Sequence, residues 1–221
     1  MLLTTQEKLK SVWDSIVGGE RNNYPGQVAV TGHNETTIDF IRTTRCRSIA
    51  ELGIYRGHTS MEFAKYLGGE GELHLYDFED AVDKVKADLE QAGFTNVKGF
   101  GCSYKYRDSY NWPLAKMLQQ HQEPVYDYIF LDGAHDWAID GLATLLCDRL
   151  LKVGGYLDFD DHDWSFAKSW SLNPKRFPLT AKMYTDEQVD ALQVKMILDL
   201  LVRRDGRYQE VVENKIFQKI A

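Results

Sequence analysis

The sequence predicts an α/β fold: a doubly wound, mainly parallel Rossmann-like sheet with a C-terminal antiparallel hairpin and an N-terminal helical extension. Two observations carry this. Short apolar runs rich in β-branched and aromatic residues alternate with stretches long enough for a helix, which is the pattern of right-handed βαβ units. The chain then ends in two β-rich runs separated by Glu213-Asn214, the spacing of a hairpin.

In chain order, Thr4 and Glu7 have capping-box spacing before an amphipathic stretch reaching about Val17, and a second helix is expected from about Asn34 to Thr44. Candidate strands follow at Ser48–Leu52, Leu73–Tyr76, Val97–Gly101, Tyr126–Leu131 and Gly155–Phe159. The stretches between them, about 58–67, 81–92, 112–121 and 137–150, suit crossover helices. Thr185 and Gln188 repeat the capping-box spacing before a helix expected to reach about Arg203, and the closing hairpin pairs Tyr208–Val212 with Lys215–Ile220. No repeat, low-complexity tract or linker divides the chain. One domain, 1–221, is expected: a helical preface at 1–45, a core at 46–164, a lid candidate at 165–180, and a final helix and hairpin at 181–221.

Composition narrows the partners. Of 221 residues, 43% are hydrophobic and 27% charged, enough for a packed core without staples. No run approaches the roughly 18–20 apolar residues that cross a bilayer, and Met1-Leu2-Leu3-Thr4-Thr5-Gln6-Glu7 has no basic region before an apolar one, so a cytoplasmic protein without a membrane partner is expected. Cys46, Cys102 and Cys147 are odd in number and widely spaced, which fits reduced thiols rather than disulfides or a zinc site. A net charge of −7 without a Lys/Arg cluster disfavours nucleic acid and leaves a small molecule as the expected partner, with self-association open.

Open parallel sheets bind ligands beyond the carboxyl ends of their strands. The first strand-to-helix turn reads Glu51-Leu52-Gly53-Ile54-Tyr55-Arg56-Gly57-His58-Thr59-Ser60. Gly53 and Gly57 permit positive φ and close approach of a ligand, while Thr59, Ser60 and the helix amides can hydrogen-bond the carboxylate of an amino-acid tail. The string is neither Gly-x-Gly-x-x-Gly nor a phosphate loop, which argues against dinucleotides and nucleoside triphosphates. The second strand ends in Tyr76-Asp77-Phe78, placing an acid about 25 residues on, where a ribose diol is gripped in such sheets. The third ends in Phe100-Gly101-Cys102-Ser103, where an adenine would meet Phe100 or Tyr104 and backbone amides. Taken singly, these features also suit a plain turn, a surface acid and core aromatics.

Together these residues resemble class I methyltransferases, most closely the small metal-dependent O-methyltransferases of the catechol and caffeoyl-coenzyme A type and the sugar O-methyltransferases of antibiotic pathways. The resemblance covers about residues 47–164. Glu51-Leu52-Gly53-x-Tyr55-x-Gly57-x-Thr59 looks like that family's cofactor loop, with tyrosine in place of the usual middle glycine, and Gly101-Cys102-Ser103 is similar to its adenine-side turn. It implies S-adenosylmethionine as cofactor, bound by Glu51, Gly53, Tyr55, Gly57, Thr59, Ser60, Asp77, Phe78, Cys102 and Ser103.

The fourth strand runs into Leu131-Asp132-Gly133-Ala134-His135-Asp136-Trp137, and the fifth into Leu157-Asp158-Phe159-Asp160-Asp161-His162-Asp163-Trp164. Carboxylates at adjacent strand ends repel, so they need a cation between them or raised pKa values, and hard oxygen donors select Mg²⁺, Ca²⁺ or Mn²⁺. Such a cation would hold a vicinal diol or catechol, acidify one oxygen and orient it. The resemblance implies Asp132, Asp160 and Asp161 as ligands of Mg²⁺ or another hard divalent ion, and it places the general base at His135, where catechol enzymes carry lysine. Asp132 and His135 are thus the catalytic candidates, and the Gly154-Gly155 to Trp164 string makes Trp164 a substrate wall. The acids by themselves also suit a solvated loop that caps the next segment. Asp158 falls in a central strand, normally apolar on both faces, and calls for a local partner or a shifted register.

The stretch after Trp164 contains Trp170, Asn173-Pro174, Arg176 and Phe177-Pro178 without periodicity, as a lid would. Trp137, Trp164 and Trp170 are its pocket candidates. The leading expectation is metal-assisted O-methylation of a small-molecule catechol or vicinal diol. Metal-independent transfer through His135, or a non-catalytic S-adenosylmethionine-binding module, are the competing readings.

Overall fold

The computed structural model describes residues 32–221 except Tyr106; the expected helix from Thr4 to about Val17 lies outside the described residues. After a first helix α1 (Gly32–Arg42), strands and helices alternate: β1 (Ser48–Leu52), α2 (His58–Leu67), β2 (Glu72–Phe78), α3 (Glu79–Gln91), β3 (Val97–Cys102), α4 (Asn111–Gln120), β4 (Tyr126–Leu131), α5 (Trp137–Leu150) and β5 (Leu151–Phe159). Short helices α6 (Thr180–Met183), α7 (Asp186–Asp190) and α8 (Gln193–Ile197) lead through a π-helical turn at Leu198–Val202 to the hairpin β6 (Tyr208–Val212) and β7 (Ile216–Lys219). The strands form one sheet in the order β3-β2-β1-β4-β5-β7-β6, with β1 to β5 parallel and β7 antiparallel to both β5 and β6.

Hydrophobic burial on both faces explains why the inner strands read as near-continuous apolar runs. One core cluster gathers Leu52, Tyr76, Ile129 and Phe159 with Leu114 of α4, Cys147 of α5 and Ile197 of α8. The other gathers Ile49, Leu75, Tyr128 and Phe130 with Ile41 of α1, Phe63 of α2 and Val85 of α3. Among the described residues, no helix is long and apolar enough to cross a membrane.

Two elements differ from the sequence expectation, each for a physical reason. β5 begins at Leu151, not near Gly155: Leu151 pairs with Tyr126, and the register shifts before Tyr128 pairs with Tyr156. Gly154 sits at φ 87° inside this irregularity, so a glycine pair that reads as a strand start is an interruption within a strand. The helix expected from Thr185 to Arg203 is split. Thr185 and Gln188 do form the capping box of α7, but Ala191 and Leu192 leave helical geometry. The break frees Gln193 to accept the Trp137 N–H at 2.7 Å and donate to the Gln188 carbonyl at 2.7 Å, joining the two sides of the break to the start of α5.

Candidate active site

Register assembles the site. Leu52 pairs with Tyr76 on one side and Leu131 on the other, and Leu131 pairs with Phe159. The next residues, Asp77, Gly53, Asp132 and Asp160, therefore stand in a row at the carboxyl edge. Backbone bonds extend the ladder there: Gly53 N–H donates to Tyr76 O (2.8 Å), Asp132 N–H to Leu52 O (2.8 Å) and Asp160 N–H to Leu131 O (3.0 Å).

Gly53 is required by this packing. At φ +83° it occupies the left-handed region, and a Cβ there would lie 1.9 Å from the Asp132 carbonyl oxygen. Gly57, at φ +76°, abuts Val85 of α3 and donates its N–H to Ile54 O at 2.7 Å. Between them Tyr55 adopts φ 46° and remains half exposed. Asp77 ties the loop down: its Oδ2 accepts the N–H groups of Ile54 (2.8 Å) and Tyr55 (3.3 Å), while Oδ1 accepts that of Phe78 (2.7 Å). Thr59 and Ser60 are buried in the first turn of α2.

Glu51 is buried beneath this loop and accepts the Ser60 hydroxyl at 2.5 Å. Burial, with a smaller push from Asp77, raises its pKa to about 8 against the Ser60 hydrogen bond. A folded-state pKa above the unfolded value gives stability that is complete at acid pH and lost as pH rises towards 8. Glu51→Gln is therefore expected to match the wild type in thermal unfolding near pH 4 and to exceed it near pH 9 by on the order of 2 kcal/mol. Equal pH profiles for the two proteins would contradict the buried-acid assignment.

At the next strand ends, Asp77 pairs with Gly101 and Phe78 with Cys102. Tyr104 stacks on Phe78 at 4.4 Å between ring centroids and donates its hydroxyl to Asp80 at 2.6 Å. Asp108 holds Ser103 through both its N–H (2.8 Å) and its hydroxyl (2.7 Å). Cys102 is buried, which pushes its thiol up to about 12 and makes it a packing group, not a nucleophile. Phe100, offered by sequence with Tyr104 as an adenine contact, stacks on Tyr76 at 4.7 Å and packs against the core.

Asp132, His135 and Asp161 converge. His135 Nε2 lies 3.7 Å from Asp132 Oδ1 and 3.4 Å from Asp161 Oδ2, and the three residues offer ligand atoms all within 4.8 Å of one another. His135 and Asp161 each take φ 56°, a conformation that persists where surroundings overdetermine it. For His135 the cause is visible. Asp140 accepts its N–H at 2.6 Å, Tyr110 accepts that of Ala134 at 3.0 Å, and Tyr110 donates to Asp140. A Cβ on Gly133 would lie 2.3 Å from the Tyr110 hydroxyl oxygen, so the loop needs glycine there. Burial raises the Asp140 pKa to about 6, partly offset by His135.

The surroundings of Asp132 oppose its charge. Its side chain keeps 27% of its surface exposed. Even so, the surrounding protein, and then Asp160, Asp161 and Glu51, push its pKa well above the carboxylate range, with Lys215 opposing them. Asp160 is buried, with Lys215 Nζ 3.5 Å from its Oδ1. The same ammonium donates to the Phe159 carbonyl at 3.1 Å and lies 3.1 Å from Asp158 Oδ1. Asp158, whose other oxygen accepts the Tyr128 hydroxyl at 2.6 Å, is thus an internal partner of Lys215, and it lies beyond the register shift of β5, paired with Phe130. Sequence pattern left Lys215, Tyr110 and Asp140 unnamed, and a charge inside the central β5 was the only signal that a buried cation was needed.

Of the tryptophans, Trp164 packs at 5.1 Å on His135 and at 4.8 Å on Phe166. Trp137 is the first residue of α5, 40% exposed, with its ring 3.9 Å from a Cβ placed on Gly141. Trp170 lies in the lid candidate, half exposed beneath the Arg176 guanidinium at 4.7 Å.

The sheet order, the terminal hairpin and the glycine loop beside a row of strand-end acids define a class I methyltransferase fold. A model of the O-methyltransferase family matches residues 26–195, and the chain belongs to that family. Among solved structures, the chain resembles the O-methyltransferase from Bacillus cereus in complex with SAH (13% identity, TM-score 0.61, 100% of this chain and 94% of that one). It also resembles the SAH-bound Podospora anserina methyltransferase PaMTH1 (17%, TM-score 0.57, 99% and 97%). A third likeness is to the O-methyltransferase TomG from Streptomyces achromogenes, in complex with SAM (16%, TM-score 0.51, 83% and 79%). No curated protein matches in sequence.

Proposed function

We propose that this chain transfers a methyl group from S-adenosylmethionine to a hydroxyl of a small molecule, assisted by Mg²⁺ or another hard divalent cation. The observation that carries the reading is the packing of Asp132 against Gly53, which puts the acid cluster beside the glycine loop. The residues fit both groups. The loop is a cradle that any side chain at Gly53 would obstruct, Glu51 is a buried acceptor suited to an ammonium, and Asp77 retains lone pairs for ribose hydroxyls. Asp132 and Asp161 add crowded oxygen donors of the kind a hard cation neutralises.

When bound, the cofactor supplies an electrophilic methyl carbon and the cation supplies charge that acidifies the acceptor hydroxyl. The chain does the rest. Asp132, Asp160 and Asp161 would hold the cation, with Lys215 beside Asp160. His135, whose Nε2 faces Asp132 and Asp161, would accept the hydroxyl proton as the cation acidifies it. Trp164, packed on His135, would wall the acceptor, with the partly exposed Trp137 and Trp170 as further candidates for contact with it. The free, buried thiols Cys46, Cys102 and Cys147 fit a cytoplasmic setting.

Calorimetric titration of S-adenosylhomocysteine, then of Mg²⁺, into the wild type and into a variant combining Asp160→Ala and Asp161→Ala tests this reading. Both proteins are expected to bind the cofactor product, and only the wild type the cation. Equal Mg²⁺ binding would remove the cation sites, and absence of S-adenosylhomocysteine binding would remove the methyltransferase reading itself.

A further inference from the structure

The twenty residues from Ser165 to Tyr184 contain Lys168, Lys175, Arg176 and Lys182 and no acid, in a chain of net charge −7. Several surface cations elsewhere are paired, as Lys84 with Asp88, Lys86 with Glu90, and Arg203 with Asp199 and Glu210, whereas exposed Arg45, Lys116, Arg149 and Arg204 make no ion pair among the described residues. Among the described residues, Lys175, Arg176 and Lys182 make no ion pair, and all three are exposed. What distinguishes the segment is four bases with no acid among them, a local charge complementary to an anion.

Both ends of this segment are fastened beside the site. At its start, Trp164 donates its N–H to the Asp161 carbonyl at 3.0 Å and packs on His135, and Lys168 Nζ reaches the Asp163 carbonyl at 2.9 Å. At its end, the Tyr184 hydroxyl donates to Asp136 at 2.8 Å, while its ring packs at 4.3 Å on Phe166. The turn between is preformed. Asn173 accepts the Lys175 N–H on its side chain (3.0 Å) and the Arg176 and Phe177 N–H groups on its carbonyl (2.8 Å each), and Thr180 donates to the Leu172 carbonyl at 2.8 Å. The Arg176 guanidinium lies 4.7 Å over the half-exposed Trp170 ring, a cation held on an aromatic platform.

We propose that the methyl acceptor carries a small oxyanion group, carboxylate or phosphate, besides its hydroxyl, and that Lys175 and Arg176 receive it. These cations would also offset the repulsion that Asp132, Asp160 and Asp161 exert on an anion approaching the site. The proposal rests on the methyltransferase reading above and specifies its acceptor.

The test uses matched acceptors with the full chain: 3,4-dihydroxybenzoate against its neutral amide, and a hexose 6-phosphate against the free hexose, each titrated calorimetrically into the S-adenosylhomocysteine-loaded protein and assayed for methylation. One anionic member is expected to bind at least about tenfold tighter than its neutral partner, more weakly at high salt, and which pair responds separates carboxylate from phosphate. A double variant, Lys175→Gln with Arg176→Gln, is expected to lose that preference through KM, with kcat and neutral-acceptor binding unchanged. Equal binding within both pairs, no binding by any of the four, or a preference that survives the double variant overturns the proposal. Failure of S-adenosylhomocysteine to bind instead overturns the reading beneath it.

Discussion

Asp132→Asn is expected to lower methyl transfer roughly a thousandfold, the scale of several kcal/mol of lost charge stabilisation, while leaving S-adenosylhomocysteine binding intact. The same substitution is expected to raise stability without divalent cation. Asp132 is held above its ordinary pKa by the enclosing protein and by Asp160, Asp161 and Glu51. The wild type therefore loses stability as pH rises above the unfolded carboxylate range, and the neutral amide does not. Melting curves in chelator should coincide near pH 4 and separate by roughly 3 °C or more at pH 8, the variant melting higher. Opposite effects on activity and stability are the mark of a charge retained for chemistry, not for packing. An unchanged rate would show that Asp132 is no part of the reaction.

Gly53→Ala is expected to be among the most damaging single changes in the fold. A left-handed backbone costs a residue with a Cβ about 1–2 kcal/mol. Here the Cβ would also lie 1.9 Å from a backbone oxygen, that of Asp132, so the β4–α5 loop must move. A combined loss of about 3–5 kcal/mol, near 10 °C in melting temperature, is expected, with cofactor binding impaired because the loop itself is displaced. Gly69→Ala separates the two causes: Gly69 has φ +86° but nothing within 4 Å of its Cβ position, so only the backbone term, about 1–2 kcal/mol, should appear. Equal losses in the two variants would show that contact with Asp132 does not shape the loop.

Much of this was legible in the chain. β1 and β4 have the boundaries their apolar runs indicate, Ser48–Leu52 and Tyr126–Leu131, because strands buried on both faces leave an unbroken signal. Gly53 was readable as a turn glycine, but its closest contact, the Asp132 carbonyl, comes from the loop after β4 and appears only once β1 and β4 are paired. The strand-end acids were visible; the division between Asp160, facing Lys215, and Asp161, facing His135, was not. Lys215 adjoins a hairpin turn and reads as a solvated residue. Its burial follows from β7 pairing with β5, a long-range event without local signature. The break before Gln193 was hidden for a similar reason, since its compensation is a hydrogen bond to Trp137.

The proposed function makes the strand-end acids and the glycine loop one cation-assisted methyl-transfer site. Its most direct test is transfer of labelled methyl from S-adenosylmethionine to a panel of catechols, vicinal-diol sugars and phenols, run in Mg²⁺, in chelator, and after Mg²⁺ is restored. Turnover of at least one acceptor is expected to stop with chelator and return with the ion. Turnover that continues undiminished in chelator would contradict that function.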